Sequence, residues 1–375
     1  MPTVADNHHS TAGHDGTGQL EAILLVGGQG TRLRPLTIGT PKPLLPTAGV
    51  PFLAHQIAKA AQSGVKRIVM ATAYRAEMFA EVFGDGARFG LEIVYVHEPE
   101  PLGTGGGIRN AAAKLRSGPE DQIVVLNGDV LSGHDLGAQL DLHRKADAAV
   151  TLHLVEVPDP ARFGCVPTDF DGRVTAFLEK TANPVTCQIN AGCYVFTRRY
   201  IDAMPPGVVL SVERDTFPGL IQADETVMGY LESAYWLDVG TPEAYVRGSS
   251  DLVLGELASS AVPGECGRAL LLPGATIDPS ATIIGGTAVG AGSVVAARAV
   301  VDGSVLFDGV TIGEGAKVTA SVVGAGAKIG AGAVLDGVVI GTGAEIGPRN
   351  ELRNGMRVWP GVRLDHTAVR FSTDA

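Results

Sequence analysis

Apolar residues recur at an almost constant spacing over about ninety residues near the end of the chain. Of the fifteen intervals between them, twelve are six residues and three are five. A hexapeptide repeat is typical of a parallel β-helix, in which each repeat forms one side of a triangular coil and its apolar residue points inward. The predicted inward residues are Ile277, Ile283, Val289, Val295, Val301, Phe307, Ile312, Val318, Val323, Ile329, Leu335, Ile340, Ile346, Leu352, Val358 and Leu364.

The chain before this repeat alternates apolar, β-rich runs with segments of helical composition. Strands are predicted at 22–26, 67–71, 92–96, 123–126 and 149–155, with helices near 51–63, 76–83, 106–115 and 136–145. This alternation predicts an α/β fold, a doubly wound and mainly parallel sheet covered by helices. A chain of 375 residues favours two domains, which we place at 19–255 and 263–368 after a disordered polar tail at 1–18.

Composition excludes several classes of function. A net charge of −11 argues against a nucleic-acid surface, which needs a basic face. The sequence contains no run of 18 or more apolar residues, so no membrane span is predicted. Four cysteines without zinc spacing indicate free thiols, so we expect a cytoplasmic protein.

A glycine-rich turn follows the first predicted strand. The sequence LLVGGQGTRL at 24–33 is followed by Pro-Lys-Pro at 41–43. Glycines let backbone N–H groups close around phosphate oxygens, and Arg32 and Lys42 supply neutralising charge. The order of residues matches neither the dinucleotide fingerprint nor the P-loop. The predicted phosphate cradle is Gly27, Gly28, Gly30 and Thr31. Val26, Asn127 and Gly128 are further predicted nucleotide-binding residues.

Two aspartates follow apolar runs. Asp129 ends the run at 123–128, after Asn127 and Gly128, and Asp238 lies in WLDVGTP at 236–242. A carboxylate at the exit of a buried strand suits Mg²⁺, which takes few protein oxygens and completes its shell with phosphate. Each aspartate alone would more often cap a turn or a helix.

Taken together, these segments resemble the sugar nucleotidyltransferase family, whose signature is G-G-x-G-T-R-L…P-K-P. The resemblance covers residues 21–364 and implies a Rossmann-like catalytic domain followed by a left-handed β-helix. It also implies transfer of a nucleotidyl group from a nucleoside triphosphate to a sugar 1-phosphate, with Mg²⁺ held by Asp129 and Asp238. Residues 177–180, FLEK, resemble the family's F-x-E-K motif. The implied catalytic residues are Arg32, Lys42, Asp129, Lys180 and Asp238.

The same resemblance implies a sugar-phosphate site. The residues it assigns there are Gly164, Glu179, Lys180, Asn190, Gly192 and Arg214. An exposed Glu–Lys pair on an edge strand is the alternative interpretation of residues 179 and 180.

The base is indicated by residues 98–106, EPEPLGTGG, which resemble the E-P-L-G-T-[AG]-G stretch of the guanylyl branch, the mannose-1-phosphate guanylyltransferases. A carboxylate of Glu98 or Glu100 can accept from N1–H and the 2-amino group of guanine. The backbone of Leu102, Gly103 and Thr104 would flank the base. Residues 211–218 resemble the S-x-E-x-x-x-F-P of the same branch. The predicted substrates are therefore GTP and mannose 1-phosphate.

Alternatives remain open from the sequence. Glucose 1-phosphate with UTP or dTTP, or a heptose 1-phosphate with GTP, would use the same chemistry. The β-helix could be an acyltransferase, but no histidine lies between residues 263 and 365 to act as its base. A non-catalytic homologue that binds a nucleotide sugar is a third hypothesis. Because the ends of a β-helix need covering, we expect a homo-oligomer.

Overall fold

The computed structural model describes residues 18–73, 75–178, 180 and 183–370. Most of the predicted tail and the predicted site residue Glu179 lie outside the described residues. Within the described part of the chain, no helix is both long and apolar enough to cross a bilayer.

The N-terminal part is an α/β unit. Its strands are β1 (Glu21–Val26), β2 (Pro46–Thr47), β3 (Val50–Pro51), β4 (Arg67–Thr72), β5 (Glu92–His97), β6 (Gln122–Asn127), β7 (Val130–Ser132), β8 (Val150–Glu156), β9 (Gln188–Thr197), β10 (Val227–Leu231) and β11 (Trp236–Asp238). Its helices are α1 (Phe52–Gln62), α2 (Ala76–Phe83), α3 (Gly103–Ala112), α4 (Leu136–Lys145), α5 (Arg198–Asp202), α6 (Phe217–Gln222) and α7 (Pro242–Leu254).

Seven of these strands form one sheet in the order β10-β8-β9-β6-β1-β4-β5. Only β9 runs antiparallel to its neighbours, β6 and β8, and every other pair in the sheet is parallel. Apolar cores cover both faces: one includes Leu24 and Phe79, and the other includes Ile23 and Phe196. Consecutive strand residues Ile23 and Leu24 thus pack on opposite faces, as in a doubly wound sheet. The predicted fold is confirmed.

The C-terminal part is a prism of three parallel sheets. Its strands are β12 (Ala269–Leu271), β13 (Thr276–Ile277), β14 (Thr282–Ile284), β15 (Thr287–Val289), β16 (Val294–Val295), β17 (Val300–Asp302), β18 (Val305–Leu306), β19 (Thr311–Ile312), β20 (Lys317–Thr319), β21 (Val322–Val323), β22 (Lys328–Ile329), β23 (Val334–Asp336), β24 (Val339–Ile340), β25 (Glu345–Ile346), β26 (Glu351–Arg353), β27 (Arg357–Val358) and β28 (Arg363–Leu364). Each strand pairs with the strand three positions further along the chain, so successive coils stack as in the predicted left-handed β-helix.

One predicted inward residue is wrong. Leu306, not Phe307, pairs with Val289 below and Val323 above, and it lies in the apolar interior of the prism. Phe307 points outward and packs against the α/β unit. The five-residue interval therefore falls between residues 301 and 306, at the same corner as the intervals 318–323 and 335–340. Stacking requires the short side of each coil to align, which local spacing alone did not reveal.

The two parts share an apolar core along one face of the prism. The outward residues of the sheet β12-β15-β18-β21-β24 form a column of apolar side chains, Leu270, Ala288, Val305, Val322 and Val339, all of them buried. They belong to a cluster with residues of α7 and of the segment after the glycine-rich turn, among them Tyr245, Leu33 and Leu36. The β-helix therefore supports that segment from behind.

Candidate active site

The glycine-rich turn leaves the carboxyl end of β1 and enters a short 3-10 turn at Thr31–Leu33. Gly30 has φ +59°, in the left-handed region, and a Cβ there would lie 2.8 Å from the Cβ of Lys42. Its carbonyl accepts a 2.9 Å hydrogen bond from the Thr37 hydroxyl. Glycine is needed at this position because both the backbone conformation and the close approach of Lys42 exclude a side chain.

A cavity of about 480 Å³ opens beside this turn. It lies at the carboxyl ends of β1, β4 and β6, where ligands bind in open α/β sheets. Thirteen of the predicted site residues line it: Val26, Gly27, Gly28, Gly30, Thr31, Arg32, Lys42, Glu98, Gly103, Thr104, Asn127, Gly128 and Asp129. Residue 128 can approach β1 this closely only as glycine, since a Cβ there would lie 2.5 Å from the carbonyl oxygen of Leu25.

Lys42 and Asp129 form an ion pair at the cavity wall. The distance from Lys42 Nζ to Asp129 Oδ2 is 3.2 Å, and the lysine side chain is 9% exposed whereas that of the aspartate is 46% exposed. The ammonium group is therefore fixed from below, while the carboxylate keeps a face open to the cavity.

Asp238 lies next to Asp129 through a small antiparallel ribbon. β11 pairs with β7 so that Asp238 is opposite Val130, and the N–H of Val239 donates to the carbonyl oxygen of Asp129 at 3.0 Å. Burial raises the pKa of Asp238, and the negative charge of Asp129 raises it further, against the cations Lys42, Arg32 and Arg162. Two carboxylates that repel each other beside this cavity are a donor set suited to a divalent cation.

Arg32 approaches the same ribbon. A Cβ on Gly240, two residues after Asp238, would lie 3.0 Å from an Nη of Arg32, so the guanidinium packs on the backbone there. Gly240 itself lines the cavity. The absence of a side chain at residue 240 thus provides the space that the Arg32 guanidinium occupies.

On the opposite wall, Glu98 is buried and Glu100 is exposed. The Glu98 carboxylate accepts a 3.4 Å hydrogen bond from the N–H of Leu102, and burial raises its pKa despite that bond. A Cβ on Gly107 would lie 2.8 Å from Glu98 Oε1, so glycine in α3 admits the carboxylate. Of the two acidic candidates for base recognition, the structure brings Glu98 to the cavity.

Thr104 connects this wall to the segment at 211–218. Its hydroxyl donates to Glu213 Oε2 at 2.9 Å and accepts from the N–H of Val212 at 3.0 Å. Ser211 donates to the same Glu213 oxygen at 2.7 Å. The Ser-x-Glu motif therefore holds the N-terminus of α3, on which Gly103 and Thr104 lie.

Asn127 connects the cavity to the predicted sugar site. The hydroxyl of Tyr194 accepts from Asn190 Nδ2 at 2.8 Å and from Asn127 Nδ2 at 3.5 Å. Gly192 has φ +80°, and a Cβ there would lie 2.9 Å from Asn127 Nδ2. The Asn127 side-chain oxygen is buried without a hydrogen-bond partner.

The predicted residue Gly164 lies in a segment next to β11. The ring of Phe163 packs edge-on against Trp236, with centroids 5.6 Å apart, and Trp236 Nε1 donates to the carbonyl of Ala191 at 3.0 Å. Through these contacts the 162–164 segment, the 190–192 segment and Asp238 are grouped beside the cavity.

The structure does not bring every predicted residue to the cavity wall. Lys180 is exposed, and Arg214 lies on the exposed side of the turn Val212–Thr216, neither of them among the residues that line the cavity. Asp238, Gly164, Asn190 and Gly192 lie beside the cavity and do not line it either. Leu102 lies behind the wall as the donor to Glu98.

Four residues of this site were not among the predicted ones: Arg162, Tyr194, Glu213 and Gly240. Tyr194 is four residues from Asn190 and so shares a face of β9, a spacing that could have indicated it. Gly240 follows the predicted Asp238 by two residues. Arg162 and Glu213 lay within segments recognised by resemblance without a role of their own.

Profiles of known protein families match both parts of the chain. The profile of the nucleotidyl transferase family matches residues 21–253, and that of the GMPPB C-terminal domain matches residues 266–360. The fold and the site thus define a nucleotidyltransferase.

Relatives narrow this class. Mannose-1-phosphate guanylyltransferase of Mycobacterium tuberculosis (strain ATCC 25618 / H37Rv) is 52% identical over 359 residues, which are 96% of this chain and 99% of the relative. Mannose-1-phosphate guanylyltransferase catalytic subunit beta of Drosophila pseudoobscura pseudoobscura is 35% identical over 68% of this chain and 70% of the relative. The crystal structure of HddC from Yersinia pseudotuberculosis complexed with GMP-PN superposes with a TM-score of 0.53 at 28% identity, over 62% of this chain and 99% of HddC. The chain belongs to the mannose-1-phosphate guanylyltransferase family.

Proposed function

We propose that this enzyme transfers GMP from GTP to α-D-mannose 1-phosphate, giving GDP-mannose and pyrophosphate. The observation that carries the proposal is one cavity lined by the glycine-rich turn, by the cations Arg32 and Lys42 and by the carboxylates of Asp129 and Glu98. Asp238 lies beside Asp129. The name of the 52% identical relative supports the choice of substrates, and the GMP-PN complex of HddC supports a guanine nucleotide.

The reaction is an in-line displacement. An oxygen of the sugar phosphate attacks the α-phosphorus of GTP, a new P–O bond forms, and the bond to the leaving pyrophosphate breaks. The attacking phosphate is already ionised at neutral pH, so no general base is required. Positioning and charge neutralisation therefore carry the catalysis.

The two cations Arg32 and Lys42 both line the cavity. Arg32, which packs on Gly240, would neutralise the β- and γ-phosphates as they leave. Lys42, held by Asp129, would contact the α-phosphate or the incoming sugar phosphate. The turn with Gly27, Gly28, Gly30 and Thr31 would donate backbone N–H groups to the triphosphate.

Asp129 and Asp238 would hold the divalent metal, which we propose is Mg²⁺. The raised pKa of Asp238 reflects, after its burial, repulsion from Asp129, and a cation at this point would relieve that repulsion. Among the described residues no group of three or more His, Cys, Asp or Glu side chains is placed to hold a metal ion. In the proposed site, phosphate oxygens would complete the shell begun by the two carboxylates. The metal supplies positive charge to the phosphates when it is bound.

Specificity is assigned to the two flanks of the cavity. We propose that Glu98 accepts from guanine, while the backbone of Leu102, Gly103 and Thr104 flanks the base. On the other flank, Gly164, Asn190 and Gly192 would contact the hexose. Glu179, Lys180 and Arg214 are proposed sugar-phosphate ligands from the sequence resemblance alone.

We propose further that residues 255–263 form the boundary between the two domains.

We also propose that the chain forms a homo-oligomer through the β-helix. Met356, Trp359 and Val362 on its last coils are 39%, 48% and 37% exposed, which leaves apolar surface for a second copy. Sedimentation at micromolar concentration that detects only monomer would remove this proposal.

The test is pyrophosphate release by the purified chain with Mg²⁺, across GTP, ATP, UTP, dTTP and CTP, each with mannose, glucose, galactose and glucosamine 1-phosphates. Dominant turnover of GTP with mannose 1-phosphate is expected. Turnover of another pair would retain the chemistry and overturn the specificity. Binding of GTP without any turnover would favour a regulatory homologue and overturn the proposal.

A further inference from the structure

The apolar column on the outward face of the β-helix ends in a charged residue. Five successive coils place Leu270, Ala288, Val305, Val322 and Val339 against the α/β unit, and the sixth position in register is Arg357, paired with Val339. The five residues that precede Arg357 in the column are all apolar and buried. An arginine is therefore not what the packing of this face would lead us to expect.

Arg357 contacts the backbone of the glycine-rich turn instead of solvent alone. Its Nη1 donates to the carbonyl oxygens of Arg32 and of Arg34, each at 2.8 Å. These carbonyls flank Leu33, which is fully buried in the core shared by the two parts of the chain. One guanidinium nitrogen from the last third of the chain therefore clamps both sides of the turn that presents Arg32.

We propose that Arg357 is a positioning residue for nucleotidyl transfer, acting through Arg32. This inference rests on the proposed function, in which Arg32 neutralises the leaving phosphates. Arg32 has a flexible side chain, and its guanidinium can meet the phosphates only if its backbone is fixed. Within the α/β unit, Thr37 donates to the carbonyl of Gly30, and the N–H of Arg34 donates to the carbonyl of Thr31 at 3.2 Å. The carbonyl oxygens of Arg32 and Arg34 are held from the β-helix.

The first variant is Arg357→Ala, with Arg357→Lys as the conservative replacement. Both acceptor carbonyls are at an exposed contact, so water can replace the lost donor and the melting temperature should stay close to that of the unchanged chain. We expect kcat/KM for GTP to fall about tenfold, since misplacement of a catalytic group is costly in rate. The KM for mannose 1-phosphate should not change, and Arg357→Lys should recover part of the activity.

The control is Arg363→Ala, on β28 of the same prism. Arg363 pairs with Glu345 on the surface and is 76% exposed. This control removes a β-helix arginine and an ion pair without affecting the glycine-rich turn, so it should keep the kinetics of the unchanged chain.

The decisive measurement is a double-mutant cycle with Arg32→Ala. Residue 357 acts through the Arg32 side chain, so Arg357→Ala should change kcat/KM less than twofold once that side chain is gone. A full tenfold loss in both backgrounds, or no loss in the chain that retains Arg32, overturns the proposal. If the unchanged chain turns over no substrate pair, the proposed function fails separately, and calorimetric affinity for GTP with Mg²⁺ then decides. A tenfold weaker affinity in Arg357→Ala supports the positioning role, and an equal affinity overturns it.

Discussion

The ammonium group of Lys42 lies 3.2 Å from the carboxylate of Asp129, although the two residues are 87 positions apart in the chain. The lysine is almost fully buried and the aspartate is half exposed. Asp129 therefore neutralises the Lys42 ammonium and still keeps part of its carboxylate accessible at the cavity wall, where the proposed metal would bind.

Asp129→Asn should abolish most turnover while leaving the fold intact. The amide still accepts a hydrogen bond from Lys42 and removes the repulsion with Asp238, but it gives the metal no charge. We expect kcat to fall by about 10²-fold or more, with a melting temperature within a few degrees of the unchanged chain. The control is Asp141→Asn, a surface residue paired with Arg144. Unchanged rates with Mg²⁺ in the Asp129 variant would refute the metal assignment.

Glu98→Gln should weaken the preference for GTP. The carboxylate can accept from both N1–H and the 2-amino group of guanine, whereas an amide presents one acceptor and one donor. A loss of about tenfold to a hundredfold in kcat/KM is expected for GTP, with little change for ATP. Glu100→Gln is the matched control, since Glu100 lies on the same turn but is exposed. Steady-state kinetics with both nucleotides measure this, and an equal effect of the two variants would contradict the role of Glu98.

Gly30→Ala should destabilise the chain where Gly28→Ala does not. Residue 30 has φ +59° and a Cβ would meet Lys42, while a Cβ at residue 28 would meet nothing within 4 Å. We expect Gly30→Ala to lower the free energy of unfolding by about 1–3 kcal/mol, read from urea denaturation. Equal stability of the two variants would show that the turn relaxes to accept a side chain.

Stability should fall as the pH drops below 6.5. Burial lowers the pKa of His55 and His143 to about 4, of His153 to about 3 and of His134 to about 2. Between these values and 6.5 the unfolded chain binds protons that the folded chain does not, so each histidine removes up to about 1.4 kcal/mol per pH unit. The stabilisation is thus fully present above pH 6.5 and is lost on acidification.

Urea denaturation between pH 7 and pH 5 measures this slope. His143→Gln removes a buried histidine that is hydrogen-bonded to Thr151 and Thr197, and it should reduce the slope. His366→Gln, at an exposed position after the last coil, should leave it unchanged. A free energy of unfolding that is flat over this range would contradict the prediction.

Much of the fold could be predicted from the sequence, because its determinants are local. The predicted helices at 76–83 and 136–145 have the observed bounds of α2 and α4. Leu306 and Phe307 show where local reasoning fails: both are apolar neighbours, and only the stacking of coils decides which one points inward.

The site residues likewise fall into a group that could be predicted from the sequence and a group that could not. Residues that follow strands, such as Gly28 and Asp129, could be placed at one edge of the sheet because parallel strands end there together. The contact between Asn127 and Tyr194 and the clamp from Arg357 depend on how distant segments dock, which no residue spacing in the sequence encodes. The contacts of Lys180 and Arg214 with substrate stay predictions.

The apolar column of the β-helix also bears on how the enzyme is made. Leu33, beside the glycine-rich turn, leaves the ribosome roughly 300 residues before Val339, yet the two belong to one buried cluster. The α/β unit therefore emerges with part of its glycine-rich turn uncovered, and the turn acquires its support only when the last coils have been synthesised. The support of the glycine-rich turn therefore depends on coils that are synthesised roughly 300 residues after it.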